Sequence, residues 1–142
     1  MFQIIIKALE NFCIHQIREP YTLSQNSSSN AMYITYIDIQ TPQEDLFRVY
    51  LALEPEITQT VSTLFLEEDE SDEETLIDMV LEMTNLVVGS AKVIAEDSDE
   101  NHFTIKTPHF VEKNVFNIEY DSIQSLQIGQ SSITVAIKAI NA

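Results

Sequence analysis

The sequence SDEETLIDMVLEMTNLVVGSAKVIAED, residues 71–97, is the longest segment of the chain with one sustained periodicity. Its polar residues recur at helical spacing, so that at about 100° per residue they fall on one narrow stripe of an α-helix. The stripe comprises Ser71, Glu74, Asp78, Glu82, Asn85, Gly89, Lys92 and Glu96. The rest of the circumference is mostly apolar, which predicts a nearly buried helix. Such a helix can act on another molecule only through its polar stripe.

Length and composition predict one globular domain over residues 1–142. A chain of 142 residues can bury about two-thirds of its unfolded surface, so it needs no disulfide or metal to hold a core. Cys13 is the single cysteine, which excludes an intrachain disulfide, and its apolar neighbours favour a small buried side chain. The histidines are scattered without a second ligand at useful spacing, so we expect no metal site.

The charge balance argues against two classes of partner. Seven Lys and Arg against 23 Asp and Glu give a formal net charge of -16, which disfavours nucleic acid and anionic membranes. No apolar run is long enough to cross a bilayer, and Lys7 and Glu10 interrupt any signal-peptide pattern, so we expect a cytoplasmic protein. Residues 49–91 contain no Lys or Arg, and a partner that docks there is expected to bring positive charge.

An acidic run, EEDESDEE, occupies residues 67–74. We interpret it as a solvated loop before the long helix, with Ser71 and Glu74 forming a capping box. A calcium loop is the weaker alternative, because the run has no glycine at the turn position and lacks the ligand spacing of such loops.

The other segments predict an α+β fold. Apolar faces indicate helices over residues 2–17, ending before Pro20, and over 57–65. β-Branched and aromatic residues indicate a hairpin formed by strands 32–39 and 46–53. Further strands are predicted at 21–23, 102–107, 115–120, 123–128 and 132–140. This order favours a mainly antiparallel sheet with the long central helix and the other helices packed against it.

The simplest interpretation of Asp78, Glu82 and Asn85 is the wet face of an amphipathic helix. Two residues weaken that interpretation, because Asn is a poor helix former and Gly89 costs roughly 0.5–1 kcal/mol relative to Ala inside a helix. Gly89 would also let a partner approach the helix closely. A carboxylate and a carboxamide one turn apart, beside a glycine, therefore predict a small polar site.

The same helix resembles the signature of the CheC, CheX and FliY group of chemotaxis phosphatases. That signature is Asp or Ser, three residues, Glu, two residues, Asn, twenty-two residues and Pro, and it is matched by Asp78, Glu82, Asn85 and Pro108. One copy of the motif in a short chain resembles the CheX branch, since CheC-type members carry two related halves. The resemblance implies a CheX-like α+β fold, a homodimer, and hydrolysis of the aspartyl-phosphate on a CheY-type response regulator in chemotaxis or two-component signalling.

The resemblance also implies roles for single residues. The phosphorylated regulator supplies the aspartyl-phosphate, a bound Mg²⁺ and a lysine, so this chain needs no cofactor of its own. Asn85 is expected to order the attacking water, because a neutral carboxamide does not repel the phosphoryl oxygens. Glu82 is expected to pair with the regulator's lysine. We expect Asp78 and Gly89 to contact the regulator and Pro108 to shape the chain.

Two alternatives belong to other functional classes. A non-catalytic regulator-binding or flagellar-switch-type interaction module would bind the phosphorylated regulator without shortening the life of its phosphate. An acid-rich scaffold or metal-binding protein built on residues 67–74 is more distant. The homodimer is expected to pair through a strand edge within residues 123–140.

Overall fold

The computed structural model describes residues 1–98 and 102–140, and within them three α-helices pack on one face of a seven-stranded antiparallel sheet. The helices are α1 (Phe2–Phe12), α2 (Pro55–Leu66) and α3 (Glu73–Asp97). The strands are β1 (Thr22–Ser24), β2 (Ala31–Gln40), β3 (Leu46–Leu53), β4 (Thr104–Ile105), β5 (His109–Val115), β6 (Ser122–Ile128) and β7 (Ser131–Ala139). The predicted α+β fold is confirmed.

The first helix extends beyond its regular part. After α1 the chain makes a π-helical turn, Cys13–Ile17, and Arg18 in the left-handed conformation ends it (φ 61°), so the predicted helix over 2–17 is confirmed with a widened last turn. Cys13 is fully buried there, as expected, and this burial together with nearby Glu10 raises the pKa of its thiol to about 12. The Cys13 thiol is therefore inert packing rather than a reactive group.

The sheet has the order β1-β6-β7-β3-β2, and β4 and β5 both pair with the far side of β2. β2 and β3 form the predicted hairpin, with Tyr36 opposite Tyr50. Successive residues of β2 point to opposite faces of the sheet, so its side chains are divided between two apolar clusters. Tyr33 and Ile37 join the core under the helices, whereas Met32 and Ile34 join a smaller cluster on the other face.

The strand expected at residues 115–120 is wrong. Pairing ends at Val115, and the chain then crosses the outer face of the sheet, where Phe116 packs edge-on against Tyr50 with ring centroids 6.1 Å apart. The apolar residues of this segment resemble a strand in sequence, but Phe116 is buried on the face of the sheet, and the segment does not extend the sheet. The strand expected at 102–107 is reduced to the two residues of β4.

The subunit edge expected within residues 123–140 is contradicted for β7 and for the part of β6 that β1 covers. β7 lies between β3 and β6, and β1 pairs with residues 125–127 of β6, so these strands already have neighbours inside the chain. In the described residues, β4 and β5 form the last strands beyond β2. The homodimer itself stays a prediction.

Candidate functional site on helix α3

The start of α3 is capped, but not by the predicted residues. The Asp72 side chain accepts a hydrogen bond from the backbone N–H of Thr75 at 2.8 Å. Hydrogen bonding by the Thr75 side chain, and then by this N–H, holds the pKa of the Asp72 carboxyl below its ordinary value. The predicted capping box of Ser71 and Glu74 is wrong, because the Ser71 hydroxyl is engaged by Ser62 of α2 and by Glu68. The acidic run is otherwise the loop that was expected between α2 and α3.

A buried polar contact fixes the middle of α3 on the sheet. The hydroxyls of Thr84 and Thr35 are 2.7 Å apart, and both residues are fully buried. The Thr84 hydroxyl also lies 2.7 Å from the carbonyl of Val80, and that of Thr35 lies 3.0 Å from the carbonyl of Leu51. A satisfied buried network of this kind specifies one helix position, so it sets the rotation and height of the turn that carries the polar stripe.

Three site residues share the side of α3 that faces away from this contact. Asp78, Glu82 and Asn85 are exposed, and none of their side chains has a hydrogen bond or ion pair with another described residue. Glu82 and Asn85 are separated by about 4.5 Å of helix rise, so both project from one face. A free carboxylate and a free carboxamide on an anchored helix can pair with a cation and hold a water molecule in a partner.

Gly89 and Pro108 take different places. Gly89 is half-buried on the stripe, and a Cβ built on it meets no atom within 4 Å, so no packing in the chain demands a glycine there. Pro108 lies off the helix, at the break between β4 and β5 along β2. Since proline has no N–H to donate, it fits a gap in the ladder, where the Lys106 N–H still donates to Asp38 at 2.9 Å.

The expectation that α3 is buried outside its stripe fails at two positions. Leu86 is 42% exposed and Val93 57% exposed, because the sheet, α1 and α2, against which α3 packs, leave these two side chains uncovered. The uncovered side chains of Leu86 and of Phe65 and Leu66 in α2 form an open groove of about 680 Å³. Its lining residues are Phe65, Leu66, Thr75, Asp78, Met79, Glu82 and Leu86.

Sequence reasoning missed this groove. One signal was available, because Leu64, Phe65 and Leu66 are three consecutive apolar residues at a helix end and cannot all face the core. All three are exposed in the structure. Periodicity alone does not say that the exposed ones lie beside the polar stripe of another helix.

The described part of the chain lacks two further features. Residues 1–98 and 102–140 contain no group of three or more His, Cys, Asp or Glu side chains placed to hold a metal ion. No helix among them is both long and apolar enough to cross a membrane.

Solved structures share this fold. CheX from Vibrio vulnificus is 20% identical over 95% of this chain and 97% of its own, with a TM-score of 0.71. CheX from Desulfovibrio desulfuricans is 14% identical, with 97% of each chain covered and a TM-score of 0.73. CheX in a complex with CheY, BeF3 and Mg²⁺ from Borrelia burgdorferi is 13% identical over 96% of this chain and 97% of that one, with a TM-score of 0.68.

The sequence comparison supports the same relationship independently. No curated protein matches the chain significantly. The family model for chemotaxis phosphatase CheX matches residues 47–130, which include β3 apart from its first residue, α2, the whole of α3 and Pro108. With the motif residues on the exposed stripe of α3, this match is sufficient: the chain belongs to the CheX family of chemotaxis phosphatases.

Proposed function

We propose that this protein hydrolyses the aspartyl-phosphate of a CheY-type response regulator in chemotaxis signalling. The observation that supports the proposal most directly is the pair Glu82 and Asn85, exposed and without a described partner on a helix that Thr84 fixes to the sheet. Membership of the CheX family supplies the class of reaction, and the CheY-bound relative from Borrelia burgdorferi supports the class of partner.

The proposed reaction needs positioning more than covalent chemistry from this chain. A water oxygen attacks phosphorus, the bond between phosphorus and the aspartate oxygen breaks, and inorganic phosphate and a free carboxylate are formed. The Asn85 carboxamide holds that water in line without adding negative charge near the phosphoryl oxygens. The bound Mg²⁺ is proposed to belong to the regulator.

Glu82 is proposed to hold the two proteins in register. Its carboxylate lies one turn before Asn85 and has no described ion-pair partner in the chain, so it is available for the regulator's active-site lysine. A charge pair that loses water on docking fixes orientation more effectively than one on an open surface. Asp78, a further turn back, is proposed to contact the regulator outside the reacting atoms.

The decay of a phosphorylated CheY-type regulator tests the proposal. Asn85→Ala is expected to lower the catalysed rate by about 10²-fold, the usual cost of removing one preorganised hydrogen-bonding group. Glu82→Gln is expected to weaken regulator binding by about tenfold, or about 1.4 kcal/mol. Glu96→Gln is the matched control, because it makes the same charge change on the same stripe about 21 Å along the axis and disturbs only an exposed pair with Lys92.

Three results would distinguish the functional classes. Accelerated decay that Asn85→Ala abolishes and Glu96→Gln preserves supports the phosphatase. Binding that depends on phosphorylation, with an unchanged phosphate lifetime, would indicate a non-catalytic interaction module and contradict the phosphatase. Acceleration that survives Asn85→Ala would show that another residue positions the water.

A further inference from the structure

The groove between α2 and α3 is an exposed apolar surface next to the polar stripe. Phe65, Leu66 and Leu86 are 40%, 48% and 42% exposed, and Met79 lies buried at the base. Single exposed apolar side chains are ordinary, but several around one concave surface are a mark of an interaction site.

The walls of the groove are already held in place. The Phe65 ring stacks on Phe12 with a centroid separation of 5.9 Å, which supports it from behind. A second cavity of about 360 Å³ is lined by Phe65 and Leu86 as well and continues the groove toward α1. A preformed apolar surface of this kind loses little conformational entropy when a partner binds.

The rim of the groove is acidic. Asp78 and Glu82 line it, and the acidic residues 67–70 follow directly after Leu66. No Lys or Arg occurs between Arg48 and Lys92. The complementary surface is therefore an apolar side chain flanked by lysine or arginine.

We infer that this groove is the docking site for the response-regulator segment that flanks its phosphorylated aspartate. The segment would place an apolar side chain between Phe65 and Leu86 and a basic side chain against Asp78. This inference rests on the proposed function, because Glu82 belongs to both the groove and the stripe. A regulator paired with Glu82 would therefore also reach the groove, and its fit there would contribute to the specificity for one regulator.

A binding experiment tests the inference without requiring hydrolysis. The probe is a CheY-type regulator of the source organism treated with beryllium fluoride and Mg²⁺, which holds it in a stable activated form. Leu86→Gln and Leu66→Ser are each expected to raise its Kd about tenfold. Val93→Gln is the matched control, since Val93 is an exposed apolar residue on the same helix outside the groove, and its Kd is expected to stay within twofold of wild type.

The outcomes separate this inference from the proposed function. Wild-type affinity in both groove variants would show that the regulator does not dock in the groove, and would not contradict the proposed phosphatase activity. Tight binding that the groove variants weaken, with no hydrolysis by wild type, would support the docking site and overturn the phosphatase. Loss of self-association in the groove variants at unchanged regulator affinity would assign the groove to a second copy of this chain and overturn the inference. Thermal unfolding shows whether each variant is folded. If Leu86→Gln is not folded, Leu66→Ser alone tests the groove.

Discussion

Thr84 and Asn85 are adjacent in sequence and have opposite surroundings. Thr84 is fully buried against Thr35, whereas Asn85 is exposed without a described hydrogen bond. A helix rotates about 100° per residue, so one position can anchor the helix while the next faces a partner. The helix thus positions the Asn85 carboxamide without a described hydrogen bond to that side chain.

Gly89 is the residue on the stripe whose identity the chain's own packing does not explain. Gly89→Ala is expected to increase the free energy of unfolding by about 0.5–1 kcal/mol, because alanine restricts the unfolded chain and its Cβ meets no atom within 4 Å. Urea unfolding measures the change. A destabilised variant would mean that the methyl group meets a neighbour after all. A stabilised variant that binds the regulator less well would place the partner's surface at this glycine.

At the scale of elements, α3 is joined to the sheet through one buried pair of hydroxyls. Apolar packing from Val80, Met83 and Val87 holds the helix down but tolerates small rotations, whereas the 2.7 Å contact between the Thr84 and Thr35 hydroxyls favours one position. The pair connects α3 to β2, and through Leu51 to β3. The rotation of the stripe relative to the rest of the protein depends on this contact.

Thr35→Val and Thr84→Val test that contact. Each is expected to lower the free energy of unfolding by about 1 kcal/mol, the net value of a typical hydrogen bond, since the shape of the side chain is retained. The double variant is expected to lose less than the sum, because the 2.7 Å contact can be lost only once. Urea unfolding of all four proteins gives the coupling energy. Strict additivity would show that the two hydroxyls do not interact.

At the scale of the whole molecule, charge is spread unevenly. The formal net charge of -16 is concentrated in acidic residues before and along α3, while Arg48, Lys106, Lys113 and Lys138 belong to the sheet or the chain between its strands. A chain with this imbalance repels itself when compact. The acidic side is also the one that carries the candidate site, which suits a partner with basic side chains around its active site.

Self-repulsion predicts that salt stabilises the protein. Raising NaCl from 0.05 to 0.5 M at pH 7 is expected to raise Tm by several degrees, since screening shortens the Debye length from about 14 Å to about 4 Å. Thermal unfolding followed by circular dichroism measures the shift. The same salt series near the sequence pI of about 4.2 is the control, where the shift should largely vanish. A Tm that falls with salt at pH 7 would mean that favourable ion pairs outweigh the repulsion.

Local pattern predicted most of the elements and the stripe. The spacing of Asp78, Glu82 and Asn85 is a property of any helix, and the hairpin of β2 and β3 follows from alternation and a turn between them. The sequence pattern gave a wrong strand at residues 115–120, because it detects burial but not strand pairing. Phe116 is buried on the sheet face without a strand partner. The pattern also gave the wrong cap at the start of α3. The Ser71 hydroxyl is hydrogen-bonded with Ser62 of α2, and Asp72 caps the helix instead.

The sequence by itself determined the α+β class, the long helix and the family signature, because these depend on the order and periodicity of residues along the chain. Tertiary structure alone decided that Leu86 stays uncovered, that Thr84 contacts Thr35, and that Phe65 and Leu86 line one groove beside Glu82. Each of these features depends on how segments far apart in sequence are placed relative to one another when whole elements pack. No local pattern encodes that placement, so the groove beside the candidate site becomes visible only in the folded chain.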